Sequence, residues 1–186
     1  MNHGYLSISQ KLRNGEKKGE SPPKKPKLKP FAKKIMITVF WDHEGVISID
    51  FHSQGTHINS ESYGTTLKKL KEDISEKRSG KKVKLLHDNA RPHTAKTVKE
   101  LISSFGWEIL EHPPYSPDLS PSDYYLFAPL KNYLRGITHP NEEELKFATS
   151  SWLEKQPSEF YRKGIWKLPE RWQKCIEAEG EYFEKK

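Results

Sequence analysis

Ile35-Met36-Ile37-Thr38-Val39-Phe40-Trp41-Asp42-His43-Glu44-Gly45-Val46-Ile47-Ser48-Ile49-Asp50-Phe51 is the stretch on which the fold turns. Two β-branched and aromatic runs flank the turn-forming segment 42–45, a pattern that predicts a β-hairpin. Downstream, Asn59 or Ser60 is placed to cap a helix reaching Lys77, because Tyr63, Leu67, Leu70 and Ile74 recur at helical spacing opposite many Lys and Glu. Ser79-Gly80 ends it. Residues 83–88 read as a short strand, residues 93–105 as a helix with Val98, Leu101 and Ile102 inward, and residues 107–110 as a further strand. Strand, strand, helix, strand, helix, strand implies a mixed α/β sheet.

Beyond Leu110 the composition changes. Pro113, Pro114, Pro117 and Pro121 deny residues 111–123 any regular structure, since proline removes a backbone donor and fixes φ. Ser122 or Asp123 then opens a helix bearing Tyr124, Phe127, Leu130 and Leu134 that ends near Gly136. A second helix follows Pro140-Asn141 with Leu145, Phe147, Trp152 and Leu153. A third starts at Ser158 and is expected to restart at Pro169, with Trp166 and Trp172 in the core. The C-terminal third is therefore helical and packs on the sheet.

Charge divides the chain differently. Residues 1–34 carry a net +8, leaving −1 for residues 35–186 of a chain whose total is +7. The basicity belongs to an arm, residues 1–33, distinct from a domain at 34–186. Its run Ser21-Pro22-Pro23-Lys24-Lys25-Pro26-Lys27-Leu28-Lys29-Pro30 is kept extended by proline and like-charge repulsion. Lys24, Lys25, Lys27 and Lys29 suit phosphate contact or a nuclear-import signal, and equally a solvated linker. Lone Cys175 excludes disulfide scaffolds and cysteine-based zinc sites. With no apolar window long enough to span a bilayer and no signal-peptide pattern after Met1, the expectation is a soluble, intracellular protein.

Two aspartates stand out by position. Asp88 ends a strand at the edge where open α/β sheets place ligands, and Asp123 sits in the first turn of a helix after a rigid loop. Converging there, they would offer the hard oxygens that Mg²⁺ or Mn²⁺ prefer. The plainer reading makes Asp88 an Asx turn and Asp123 a helix cap. His87, His93 and His112 fit no zinc spacing and are read as turn-forming or hydrogen-bonding groups. Asn89 is set to orient Asp88, meet a phosphate or cap. Arg91, Lys96 and Lys99 either line a DNA path or are solvated helix charges.

His87-Asp88-Asn89-Ala90-Arg91-Pro92-His93-Thr94-Ala95 and Glu111-His112-Pro113-Pro114-Tyr115-Ser116-Pro117-Asp118-Leu119-Ser120-Pro121-Ser122-Asp123-Tyr124 closely resemble two signature blocks of the mariner-type transposase (DDE/DDD) catalytic domain. Asp88 and Asp123 enclose 34 residues, as the family's second and third metal-binding aspartates do. Residues 40–46, 59–63 and 164–175 look similar too, and the likeness covers roughly residues 19–183. The resemblance implies a ribonuclease-H-like mixed sheet with flanking helices, cutting and joining DNA at transposon ends with two divalent metals in the nucleus. It implies that Asp88 and Asp123 are catalytic metal ligands, that the arm from Gly19 to Lys33 is part of a loop that can reach across a dimer, and that residues 115–119 take part in interdomain or intersubunit packing, hence a homodimer; Arg91 and the arm lysines stay candidate DNA contacts on their charge alone.

One part of the family pattern is missing. The first carboxylate in chain order, on a strand followed by Glu and Trp, has no counterpart before Gly19, and neither has the helix-turn-helix domain that reads transposon ends. The reading is therefore a truncated transposase remnant whose first strand is missing or replaced, with Tyr5-Leu6-Ser7-Ile8-Ser9 the nearest replacement. Losing one carboxylate weakens the charge that holds two dications together, so catalysis is expected to be impaired. Asp50 is a conceivable substitute and Asp42 a structural turn residue. The alternative is a non-catalytic DNA-binding or dimerisation module.

Overall fold

The structure, a computed structural model, describes residues 5–12, 35–53, 55–137 and 139–180. Strands β1 (Tyr5–Leu12), β2 (Ile35–Asp42), β3 (Gly45–His52), β4 (Lys84–Leu86) and β5 (Glu108–Leu110) form one sheet in the order β3-β2-β1-β4-β5. β2 and β3 make the expected hairpin, bulged between Phe40 and Trp41. β1 pairs antiparallel with β2, setting Leu6 opposite Trp41 and Leu12 opposite Ile35, and parallel with β4, setting Tyr5 opposite Leu85. The first strand is thus replaced rather than missing, and its position is central. The sheet draws these residues from the segment 1–33 read as arm; Lys24, Lys25, Lys27 and Lys29 lie outside the described residues.

Alternation along the strands builds a core on each face. Ile35, Ile37, Val39 and Trp41 of β2 and Leu86 of β4 turn to one side, where helices α4 (Phe127–Arg135), α5 (Glu142–Lys155) and α6 (Ser158–Glu177) cover them with Leu130, Leu145, Leu153 and Tyr161. Phe40, Ile47 and Leu85 turn to the other, under helices α1 (Ser60–Lys77) and α3 (Lys96–Ser104), which contribute Leu67, Leu70, Val98 and Ile102. Asn59 caps α1, its side chain accepting from Ser62 N–H at 2.8 Å while Ser62 Oγ accepts from Asn59 N–H at 3.0 Å.

Several expectations are corrected. The helix placed at 93–105 is two, α2 (Arg91–Thr94) and α3, separated by an extended Ala95 at φ −58° and ψ 139°. The proline loop contains a 3-10 turn, Pro117–Leu119, and the next helix opens with a π-helical segment, Ser122–Leu126, before α4. α6 does not restart at Pro169 but runs through it. Tyr161, Gly164 and Leu168 are buried before the proline, and beyond it Arg171 bonds Asp118 O and lies over the Tyr124 ring, so tertiary contacts on both sides offset the lost hydrogen bond. Among the described residues, no helix is long and apolar enough to cross a membrane.

Candidate active site

Asp88 lies two residues beyond β4, at the carboxyl end of a parallel strand. Its Oδ1 accepts from Ala90 N–H at 3.1 Å, closing an Asx turn, and from His93 Nδ1 at 2.6 Å. The Asx turn and an outward-facing carboxylate therefore coexist; the side chain is 42% exposed while that of His93 is 3%. Burial works to raise the Asp88 carboxyl, but the hydrogen bond and charge of His93, together with Ala90 N–H, outweigh it and hold the group below the ordinary carboxylate value. His93 stacks on His87, ring centres 5.1 Å apart and nearly parallel, and both rings face Tyr63. Tyr63 Oη lies 3.0 Å from His87 Nδ1. Burial, then the neighbouring His93, pulls the His87 imidazole down to about 4.

Asp123 sits in the π-helical segment, which α6 and β2 hold from two sides. Trp41 Nε1–H donates to buried Ser122 Oγ at 3.0 Å, and Tyr124 Oη–H donates to Gly164 O at 2.8 Å. Arg171 lies over the Tyr124 ring at 3.9 Å and donates to Asp118 O at 2.9 Å. Gly164 is required at this crossing, because a Cβ there would stand 2.5 Å from Tyr125 Cδ1 and 3.1 Å from Trp41 Cη2. A π-bulge re-aims the side chains that follow it, and such bulges are common at functional sites.

Asp88 and Asp123 line one cleft of about 400 Å³, with His112 and residues 113–117 forming its wall. Burial lowers the His112 pKa, opposed in turn by Asp88, Asp123 and Asp118, so both candidate carboxylates act on the same imidazole. Asn89 Nδ2–H donates to His112 O at 2.6 Å and ties the ends of β4 and β5 together, a strut role distinct from the orienting, phosphate-binding and capping roles expected of it. Arg91, exposed, opens α2 beside Asp88. Lys99 lines an adjoining wider groove with Trp172 and Ile176, whereas Lys96 faces Glu100 at 3.8 Å on the open helix surface. Tyr115, at the loop tip, is fully exposed and has a left-handed φ of 56°.

Other acidic groups are engaged elsewhere. Among the described residues, one cluster of three or more candidate ligands brings its atoms within 4.8 Å: Asp42, His43 and Glu44. Two cations already serve it. Arg78 Nε donates to Asp42 Oδ2 at 2.8 Å and its Nη2 to Oδ1 at 3.0 Å, while Lys81 pairs with Glu44. Asp42 also accepts from Glu44 N–H and Gly45 N–H, which makes it the turn residue that was expected. Asp50, on β3, accepts from Thr66 Oγ1 at 2.7 Å; β2 and β1 lie between it and β4, and it does not line the cleft.

Sequence reasoning passed over the supports of this site. Trp41, Ser122, Gly164 and Arg171 hold Asp123 through tertiary contacts that no local pattern encodes; the His93–Asp88 bond had one local signal, a histidine five residues along a turn. Trp166 and Trp172 were assigned to the core, yet they are 64% and 39% exposed. Trp166 stands outside the core under Arg162, because the buried stripe of α6 runs through Tyr161, Gly164 and Leu168 instead.

A central strand parallel to β4, a hairpin beside it, helices on both faces and Asp88 at the end of β4 define a ribonuclease-H-like fold. Residues 9–84 match the family described as Transposase (partial DDE domain). The chain is 40% identical over 159 residues to the Mariner Mos1 transposase of Drosophila mauritiana, covering 83% of this chain and 46% of that protein. It is 37% identical over 169 residues to the human histone-lysine N-methyltransferase SETMAR, covering 89% of this chain and 25% of that protein. Among solved structures, the Mos1 transposase catalytic domain with raltegravir and Mn superposes with a TM-score of 0.84 at 34% identity, covering 97% of this chain and 84% of that one. The Mos1 transposase paired-end complex with left transposon end gives 0.86 at 36%, covering 97% and 56%. The chain belongs to the mariner transposase family. It spans less than half the length of the two curated relatives.

Proposed function

We propose that this chain is a transposase catalytic domain that binds Mg²⁺ or Mn²⁺ through Asp88 and Asp123 and engages DNA, with strand cleavage impaired. The carrying observation is the single cleft lined by both carboxylates at the end of β4. Its donors are hard oxygens, which fit a divalent cation of this class. When bound, such a cation would supply Lewis-acid charge at a phosphodiester and lower the pKa of a water or 3′-hydroxyl. The chain's own residues prepare the place for it. His93 holds Asp88 ionised, and the Trp41–Ser122 and Tyr124–Gly164 bonds fix the segment carrying Asp123. His112, its pKa lowered chiefly by burial, lines the same cleft.

Impairment follows from β1. The strand beside β4 is Tyr5-Leu6-Ser7-Ile8-Ser9-Gln10-Lys11-Leu12, which contains neither Asp nor Glu. Two carboxylates balance fewer positive charges than three, which favours one bound dication over two. Arg91 and the arm lysines Lys24, Lys25, Lys27 and Lys29 supply phosphate contacts, to transposon ends by family and otherwise to any duplex. Exposed Tyr115 and Pro117, with half-buried Ser116, supply a surface for a second copy, resting on buried Asp118 and Leu119, and the site of action is the nucleus. The acid-free β1 equally favours a second reading, a non-catalytic DNA-binding or dimerisation module.

Nicking of supercoiled DNA in Mn²⁺ separates the two. The first reading predicts weak cleavage abolished by Asp88→Ala and by Asp123→Ala; the second predicts none, with duplex affinity falling steeply as salt rises. Salt-independent affinity, or no binding at low salt, would remove the DNA partner from both.

A further inference from the structure

The two hydrogen bonds on Asp88 both fall on one oxygen. Oδ1 receives Ala90 N–H and His93 Nδ1, and among the described residues no donor meets Oδ2, while the side chain stays open to the cleft. His93 Nδ1 faces two acceptors at once, Asp88 Oδ1 at 2.6 Å and Asp88 O at 3.3 Å. An atom facing only acceptors must carry the proton, which fixes the Nδ1–H tautomer. The ring cannot turn away: it is buried, stacked on His87 at 5.1 Å and packed against Tyr63 at 4.1 Å.

We infer that His93 is the positioning residue of the metal site: its Nδ1–H ties down Asp88 Oδ1, so that Asp88 meets a divalent cation through Oδ2 alone. This rests on the metal reading above. A ligating carboxylate with one oxygen committed to a fixed donor loses little freedom on binding and cannot close a bidentate ring around the ion. Removing such a supporting hydrogen bond typically costs about 10–100-fold in metal affinity.

Two substitutions at His93 separate positioning from packing. His93→Asn loses the ring but puts an amide N–H near the former Nδ1; His93→Phe keeps the ring, its stacking and its volume but has no donor. Mn²⁺ affinity, read by electron paramagnetic resonance, is expected to stay within about threefold of wild type in His93→Asn and to fall about tenfold or more in His93→Phe. Thermal stability is expected to rank them the other way. Long-range ¹H–¹⁵N spectra are expected to show His93 protonated at Nδ1, reverting to Nε2–H in Asp88→Ala. A His93→Phe chain binding Mn²⁺ like wild type, or an Nε2–H tautomer in wild type, would overturn the assignment. Failure of the metal reading looks different: wild type and Asp88→Ala would then bind Mn²⁺ equally, which overturns both.

Discussion

Asp42 has no solvent exposure, and its charge is met by the Arg78 guanidinium, itself 11% exposed. A buried pair adds little net stability over a well-packed apolar substitute, but breaking one side strands the other's charge. Arg78→Met is expected to cost about 3–5 kcal/mol, read as a lower urea midpoint, with part of the loss recovered in the Arg78→Met, Asp42→Asn double variant. His87 gives the chain a pH dependence. Buried, it binds its proton near pH 4, whereas in the unfolded chain it does so at its ordinary value near 6.5. As pH falls below that value the unfolded chain takes up a proton that the folded chain refuses. Stability that is complete above pH 6.5 is thus lost progressively down to about pH 4, by up to roughly 3 kcal/mol. His112, lowered by burial as well, adds in the same direction. Urea midpoints in EDTA between pH 7.5 and 4.5 should fall for wild type and fall less for His87→Gln; parallel curves would contradict this.

The elements read from sequence were those whose signal is local. The hairpin, the α1 stripe and its Asn59 cap depend on residues within a few positions of one another, and all appear where expected. Elements decided by distant contacts were not legible. Ala95 interrupts a continuous helical pattern where the chain passes from α2, tied back to Asp88 through His93, to α3, laid on the sheet by Val98 and Ile102. Pro169 looked like a boundary because proline usually is one, and the α6 contacts to the proline loop are invisible in its own sequence. Those contacts set the orientation of the segment carrying Asp123. Gly164→Ala forces a methyl against the Tyr125 and Trp41 rings, an overpacking expected to cost about 1–3 kcal/mol in thermal or urea unfolding. It should also weaken Mn²⁺ binding through displacement of Tyr124, whereas an unchanged unfolding midpoint would show that the crossing is looser than drawn.

At the scale of the molecule, β1 shows what sequence could and could not say. Its alternation was visible in Tyr5-Leu6-Ser7-Ile8-Ser9, but its place between β2 and β4 depends on pairings to residues at least 23 positions away. The cleft had the opposite character. Its two aspartates were legible from two family blocks that set them with 34 residues between, while the chemistry that holds each one, a histidine on Asp88 and a helix crossing behind Asp123, emerged from the packed structure.

The metal-dependent reading of this chain requires Asp88 and Asp123 to share one cation. Mn²⁺ binding to the wild-type chain, Asp88→Ala and Asp123→Ala, measured by electron paramagnetic resonance at neutral pH, tests that most directly. A common site predicts that each substitution alone lowers affinity by at least about tenfold and that the double variant loses little more. Wild-type affinity in either single variant would contradict it.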